Sequence, residues 1–230
     1  TAGDNVYNSG TAAEFADCYD PVWGAFGQRI KPTPGNHDYG TLYAQAYFDY
    51  FGANAGQPGQ GWYAYEAGTW RVYALNSNCA QIGGCIPDSP QYDWLAADLA
   101  ATPHACIAAI WHHPLFSAGP HGNSSVMAAI FDLLYHSGAE VVVNGHDHMY
   151  ERFAPADAAG TADPAGVREF VVGTGGAPLY AFTTFPALLE AGDNTSHGVL
   201  KLDLAPGSYS WQFVPAGGGQ FTDSGTAACH

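Results

Sequence analysis

Residues 141–153 read Val-Val-Val-Asn-Gly-His-Asp-His-Met-Tyr-Glu-Arg-Phe. A β-branched run stops at a glycine and two histidines. Residues 140–143 carry the composition of a buried strand, and Gly145 lets the backbone turn sharply at its end. His146 and His148 then lie one residue apart on a loop. Imidazole nitrogen suits Zn, Fe and Mn, and a His-x-His pair on a loop can converge on one ion or straddle two. By itself the pair is equally compatible with two surface histidines following a core strand.

Outward from this stretch the chain alternates. Val126, Ile130, Leu133 and Leu134 mark a helix that Gly138 closes, and before it 106–111 reads as a buried strand ending at His112-His113-Pro114. Ser89-Pro90 has the signature of a helix start, with Tyr92, Leu95 and Leu99 at helical spacing up to about Ala101. Residues 62–67 and 70–76 read as a hairpin. Thr11 to Tyr19 and Pro21 to Gly27 read as two short helices, and 42–51 as an aromatic-rich helix ended by Gly52. Downstream, 168–173, 197–204 and 208–214 supply further strands, the last two joined by a Pro206-Gly207 turn. Helices alternate with strands in the middle while hairpins dominate the ends. This mixed α/β pattern predicts two sheets covered by helices, in one domain spanning 1–230, rather than a single doubly wound sheet.

The 230 residues include 6 Lys plus Arg against 21 Asp plus Glu, a net charge of −15. Such a balance disfavours broad binding to nucleic acid or an anionic membrane surface, and an anionic substrate would need local help from bound cations. No apolar run approaches the roughly 18 residues of a membrane span. Of five cysteines, none form a Cys-x-x-Cys pair. Cys79 and Cys85 bracket a short glycine-containing loop and read as a disulfide; Cys106 and Cys229 could pair to tie down the tail, leaving Cys18 over. Disulfides imply an oxidising compartment, so a secreted, periplasmic or extracellular protein is expected.

Four loops share one pattern: Gly3-Asp4-Asn5-Val6-Tyr7, Gly35-Asn36-His37-Asp38, Trp111-His112-His113-Pro114 and Gly145-His146-Asp147-His148. Metal-type ligands at strand ends are how α/β scaffolds build sites. In this order and spacing the chain resembles the calcineurin-like metallophosphoesterases, in particular their purple acid phosphatase-like branch and its secreted bacterial relatives. Asp20 to Trp23, Gly68 to Cys85, Tyr150 to Phe153 and the tail through Thr222-Asp223-Ser224-Gly225 extend the likeness.

The resemblance implies a four-layer α/β/β/α sandwich with two metal ions at its strand ends. It implies that Asp4 bridges the metals, that Tyr7 and His148 serve the first, and that Asn36, His112 and His146 serve the second. Tyr7 as phenolate favours Fe(III) on one side, with Zn, Mn or Fe(II) on the other. His37 would protonate the leaving group, with Asp38 orienting or charge-stabilising its ring. His113 is expected at the rim or just behind the ligands rather than as a ligand, and His121 on a mobile loop within reach of substrate. His104, His136 and His230 read as surface residues. The family has a further aspartate on a strand before the Gly-Asp motif, which the chain does not contain; a missing N-terminal segment is expected, and Cys18 would fit a partner there. The implied activity is hydrolysis of phosphate monoesters, with a hydroxide held by the metals as nucleophile. A phosphodiesterase or nucleotide hydrolase on the same site, or a catalytically dead binding module, are the alternatives. The partner is then a small phosphorylated substrate, with neither nucleic acid nor membrane, and the protein a monomer.

Overall fold

The computed structural model describes residues 1–101 and 105–230; His104 lies outside them. Thr11 caps α1 (Ala12–Glu14) through a capping box, its hydroxyl accepting the Glu14 N–H while the Glu14 carboxylate takes the Thr11 N–H. A π-helical turn over Phe15–Tyr19 leads directly into α2 (Asp20–Trp23) and a 3-10 stretch over Gly24–Arg29. The two expected helices are thus one irregular run. Pro21 brings no N–H and a ring that crowds the preceding turn, and the wider π turn accommodates it. Helix α3 (Gln45–Phe51) starts later than expected, because Tyr43 and Ala44 adopt positive φ of 54° and 53° ahead of it.

β1 (Tyr63–Ala67) and β2 (Trp70–Ala74) form the expected hairpin. Two crossovers follow: α4 (Pro90–Ala101) leads to β3 (Ile107–Ile110), and α5 (Ala128–His136) leads to β4 (Val141–Asn144). Parallel neighbours need such connections, and β2, β3 and β4 are parallel. β5 (Tyr150–Phe153), β6 (Arg168–Val172) and β7 (Leu189–Asp193) complete a seven-stranded sheet of order β1-β2-β3-β4-β6-β5-β7. β8 (Gly198–Ala205), β9 (Ser208–Pro215) and β10 (Ser224–Ala228) form a second, antiparallel sheet of order β10-β9-β8.

Helices α4 and α5 cover one face of the large sheet, burying Leu95, Ile130 and Leu134 against Ile107, Ala109 and Val142. The opposite face, with Trp70, Val72, Ala108 and Phe170, meets Tyr209, Trp211 and Phe213 of β9. Outward-facing Val199, Lys201, Asp203 and Ala205 of β8 are exposed. Three layers of the expected sandwich are therefore present among the described residues, and that face carries no helical layer. The disulfides Cys79–Cys85 and Cys106–Cys229 are both formed, and Cys18 is a free, exposed thiol. No helix among the described residues is long and apolar enough to cross a membrane.

Candidate metal centre

The C-terminal ends of parallel β3 and β4 point the same way, which brings His112 and the 145–148 loop together; the Gly145 N–H donates to the His112 carbonyl at 3.1 Å. Residues 1–3 run beside 31–33 through a parallel bridge between Ala2 and Thr33, and this delivers Asp4 next to Asn36. The approach is too close for side chains. A Cβ on Gly3 would collide with the His112 ring, and one on Gly35 with the Asp4 carboxylate.

His112 Nε2 lies 3.0 Å from Asn36 Oδ1, 3.2 Å from His146 Nδ1 and 3.2 Å from Asp4 Oδ2, while His146 Nδ1 is 3.0 Å from Asn36 Oδ1. The other His112 nitrogen, Nδ1, lies 2.8 Å from the Ala2 carbonyl, to which it donates, so Nε2 presents a lone pair in the neutral ring. Asn36 Oδ1 is also an acceptor. Lone-pair atoms facing one another at this spacing need a positive centre among them. A proton satisfies one pair, whereas a metal ion satisfies the whole set, so the residues present fit a metal. His112, His113 and His146 all offer ring nitrogens within 4.8 Å of one another.

A second convergence adjoins the first. Tyr7 Oη lies 3.2 Å from both Asp4 Oδ2 and His148 Nε2. His148 Nδ1 is anchored on the Pro178 carbonyl at 2.9 Å and its ring stacks on Tyr180 at 4.1 Å, so Nε2 again faces inward. Asp4 stands between the two groups. Burial alone pushes its carboxyl up, but when His112 is protonated its charge and Nε2–H, together with the His37 main-chain N–H, outweigh burial and hold it well below the usual range. Burial and the Asp4 charge push the Tyr7 phenol far above its ordinary value. Burial, with His112 beside them, pushes His113 and His146 down to about 3, so both rings are neutral and ligand-ready at ordinary pH.

Each proposed site residue has a defined location. His37 sits over Tyr7 at 4.6 Å between ring centroids, its Nδ1 2.6 Å from the Asn8 carbonyl and its main-chain N–H on Asp4 Oδ1 at 2.9 Å. The expected role of Asp38 needs correction: its buried carboxylate does not orient the His37 ring. It accepts the Gly35 N–H at 2.8 Å and the Asn5 side-chain amide at 3.0 Å, tying the two motif loops together, because it points into the fold while the adjacent histidine points out. His113 lies deeper than a rim residue, with Nδ1 2.8 Å from Ser77 Oγ and its ring 4.4 Å from that of His146. His121 is held by Asp147 at 2.7 Å rather than loose. Ser77, Asp147 and Tyr180 escaped sequence reasoning; only Asp147, inside the Gly-His-Asp-His motif, carried a signal. A cavity of about 470 Å³ opens from Asp4, Tyr7, His146 and His148 toward Ile110, Val172, Leu200 and Leu202, at the edge of the small sheet.

The family model for calcineurin-like phosphoesterase matches residues 1–150. The chain belongs to the calcineurin-like phosphoesterase family. Among curated relatives of this calcineurin-like phosphoesterase, purple acid phosphatase 22 of Arabidopsis thaliana is 26% identical over 223 residues, covering 86% of this chain and 51% of the relative. Purple acid phosphatase 18 of the same plant is 28% identical over 187 residues, covering 70% and 41%. The chain thus spans about half the length of the curated relatives it matches, or less. Among solved structures, purple acid phosphatase from yellow lupin (Lupinus luteus) seeds superposes with a TM-score of 0.73 at 19% identity, covering 86% of this chain and 38% of that one. GAP50, described as the anchor in the inner membrane complex of Plasmodium, gives 0.70 at 14% identity, covering 95% and 74%. At these identities the structural likeness shows the fold alone, and the fold is that of the metallophosphoesterases.

Proposed function

We propose that this calcineurin-like phosphoesterase hydrolyses phosphate monoesters of small molecules at a dinuclear metal centre. The observation that carries the reading is the convergence of Asp4, Asn36, His112 and His146 on one point, with Tyr7 and His148 converging on the other side of Asp4. Asn36, His112 and His146 would hold one ion, Tyr7 and His148 the other, and Asp4 would reach both. When bound, such a pair supplies Lewis acidity and lowers the pKa of water. Tyr7 favours Fe(III) on its side, and the imidazole and amide donors accept Zn, Mn or Fe(II) on theirs.

The chain's own residues supply the rest. His37 stands over Tyr7 with its Nδ1–H donating to the Asn8 carbonyl, so the second proton of the doubly protonated ring, on Nε2, would be the one given to the departing oxygen. Cations also reconcile a net charge of −15 with an anionic substrate. Two disulfides and the purple acid phosphatase relatives support a secreted enzyme. The test is turnover of 4-nitrophenyl phosphate against bis(4-nitrophenyl) phosphate by protein loaded with Zn, Mn or iron. Faster monoester turnover that a chelator abolishes supports the reading. Faster diester turnover replaces it with a phosphodiesterase, and absence of both with a binding module.

A further inference from the structure

The chain that leaves β6 is laid over the metal-type loops before it re-enters the sheet as β7. Gly173 presses on the 147–149 turn so closely that a Cβ there would collide with the Asp147 main chain, and its N–H donates to the Met149 carbonyl at 3.1 Å. Residues 178–180 then grip the buried His148 at three points. The Pro178 carbonyl accepts the ring Nδ1–H at 2.9 Å, the Tyr180 N–H donates to the His148 carbonyl at 2.9 Å, and the Tyr180 ring lies flat on the imidazole, 4.1 Å away and 12° from parallel. This strap is fastened in turn. Asn194, just beyond β7, donates its side-chain amide to the Tyr180 carbonyl at 2.9 Å, while the Thr183 N–H and hydroxyl donate to the Ala118 and Gly119 carbonyls, each at 2.8 Å. The grip is one-sided. His112 is anchored on the Ala2 carbonyl, and the His146 ring lies against those of His113 and His121 at 4.4 and 4.3 Å. Among the described residues neither His112 nor His146 has a hydrogen bond or ring contact to the strap, which nears their side only where Tyr180 meets His121, tilted and 5.5 Å away.

We propose that Tyr180 is a positioning residue for one side of the metal centre alone: its ring and main chain hold Nε2 of His148 toward Tyr7, and the strap thereby sets how tightly the Tyr7 and His148 side keeps an ion. The inference rests on the dinuclear reading. An acceptor on Nδ1 dictates which imidazole nitrogen is free but leaves the ring plane able to turn, and a carbonyl on a loop is only as fixed as the loop that carries it. A flat aromatic face fixes the plane, and the bond from Asn194 fixes the loop.

The experiment titrates metal-free protein with zinc against a competing chelator, for wild type, Tyr180→Ala, Tyr180→Leu, Tyr180→Phe and Asn194→Ala. His148→Ala and His146→Ala assign the two binding events. Tyr180→Ala and Tyr180→Leu are expected to weaken the event that His148→Ala removes by about tenfold or more and to leave the other unchanged. Tyr180→Phe keeps the flat face and the main chain and is expected to bind as wild type does, since the phenol oxygen makes none of the contacts with His148. Asn194→Ala, whose side chain bonds to the Tyr180 carbonyl and not to a proposed ligand, is expected to weaken the same event by a smaller factor. Long-range proton–nitrogen spectra of the metal-free proteins are expected to show His148 as a single Nδ1–H tautomer in wild type and Tyr180→Phe, and as a mixture in Tyr180→Ala. Should Tyr180→Ala not fold, Tyr180→Leu, which keeps most of the volume without the flat face, and Asn194→Ala decide. Wild-type affinity for the His148 event in Tyr180→Leu, or equal weakening of both events, would overturn the inference alone. Wild type that binds fewer than two zinc ions would overturn the dinuclear reading and the inference with it.

Discussion

Replacing Glu169 by glutamine tests whether a buried acid sets the pH dependence of stability. Burial pushes this carboxyl up from its ordinary 4.5 to about 8, against the Leu115 and Phe116 N–H groups that favour the anion, with the Glu151 charge adding to the rise. A raised carboxyl pKa means that the folded chain keeps a proton that the unfolded chain has released. Its stabilising contribution is therefore complete below pH 4.5 and is lost as the pH rises through 8. Between 4.5 and about 8, at about 1.4 kcal/mol per pH unit, the loss amounts to about 5 kcal/mol across that window. For a chain of this size that corresponds to a melting-temperature change of about 10 °C. Glutamine does not titrate, and its amide placed against an N–H adds a constant cost of about 1–3 kcal/mol. The assay is thermal melting of both proteins from pH 5 to 9, read as the difference between them. His113 and His146, pushed down to about 3 by burial, act oppositely by losing stability as pH falls below their ordinary 6.5, but they do so in both proteins. The variant is expected to be less stable at pH 5, to close the gap as the pH rises and to be the more stable of the two by pH 9. Parallel curves would refute the reasoning.

Asp4→Asn keeps the shape of the side chain but removes the charge beside His112 and Tyr7. Metal analysis is expected to show fewer ions per chain, and turnover to fall by more than about 100-fold. Cys106→Ser with Cys229→Ser opens a bridge across a sequence separation of 123 and is expected to cost about 4–5 kcal/mol on the chain-entropy model, read as a lower urea midpoint with a steeper slope, since the unfolded chain becomes less compact. Phe213→Ala empties a fully buried position between the sheets and is expected to cost about 3–5 kcal/mol in the same assay.

The crossovers through α4 and α5, the hairpins and both disulfides were legible because each is written locally, in apolar periodicity, turn residues or spacing. Strands β5, β7 and β10 were not identified. Leu-Glu-Ala-Gly-Asp and Ser-Gly-Thr-Ala-Ala have little intrinsic preference for extended structure, and it is pairing with β5 and β9 that makes them strands. Tyr43 and Ala44 turn left-handed without a glycine to announce it. In the site, the four motif loops could be read because each carries its donors within a few residues. The supports could not, since Ser77 beneath His113 and Tyr180 beneath His148 are brought there by the fold across 36 and 32 positions. Asp38 misled for the converse reason. Adjacent to His37 in sequence, it turns into the fold and bonds to Gly35 and Asn5 instead.

Three donor atoms, from Asn36, His112 and His146, lie 3.0 to 3.2 Å from one another, and Asp4 Oδ2 lies 3.2 Å from His112 Nε2, a spacing suited to one ion. Metals per chain, measured by elemental analysis on wild type and on His146→Ala alongside 4-nitrophenyl phosphate turnover, test it most directly. The predicted result is bound metal and turnover in wild type, with at least one ion and nearly all turnover lost in the variant. Wild type that binds no metal, or a His146→Ala protein that keeps its full complement and its rate, would contradict the assignment.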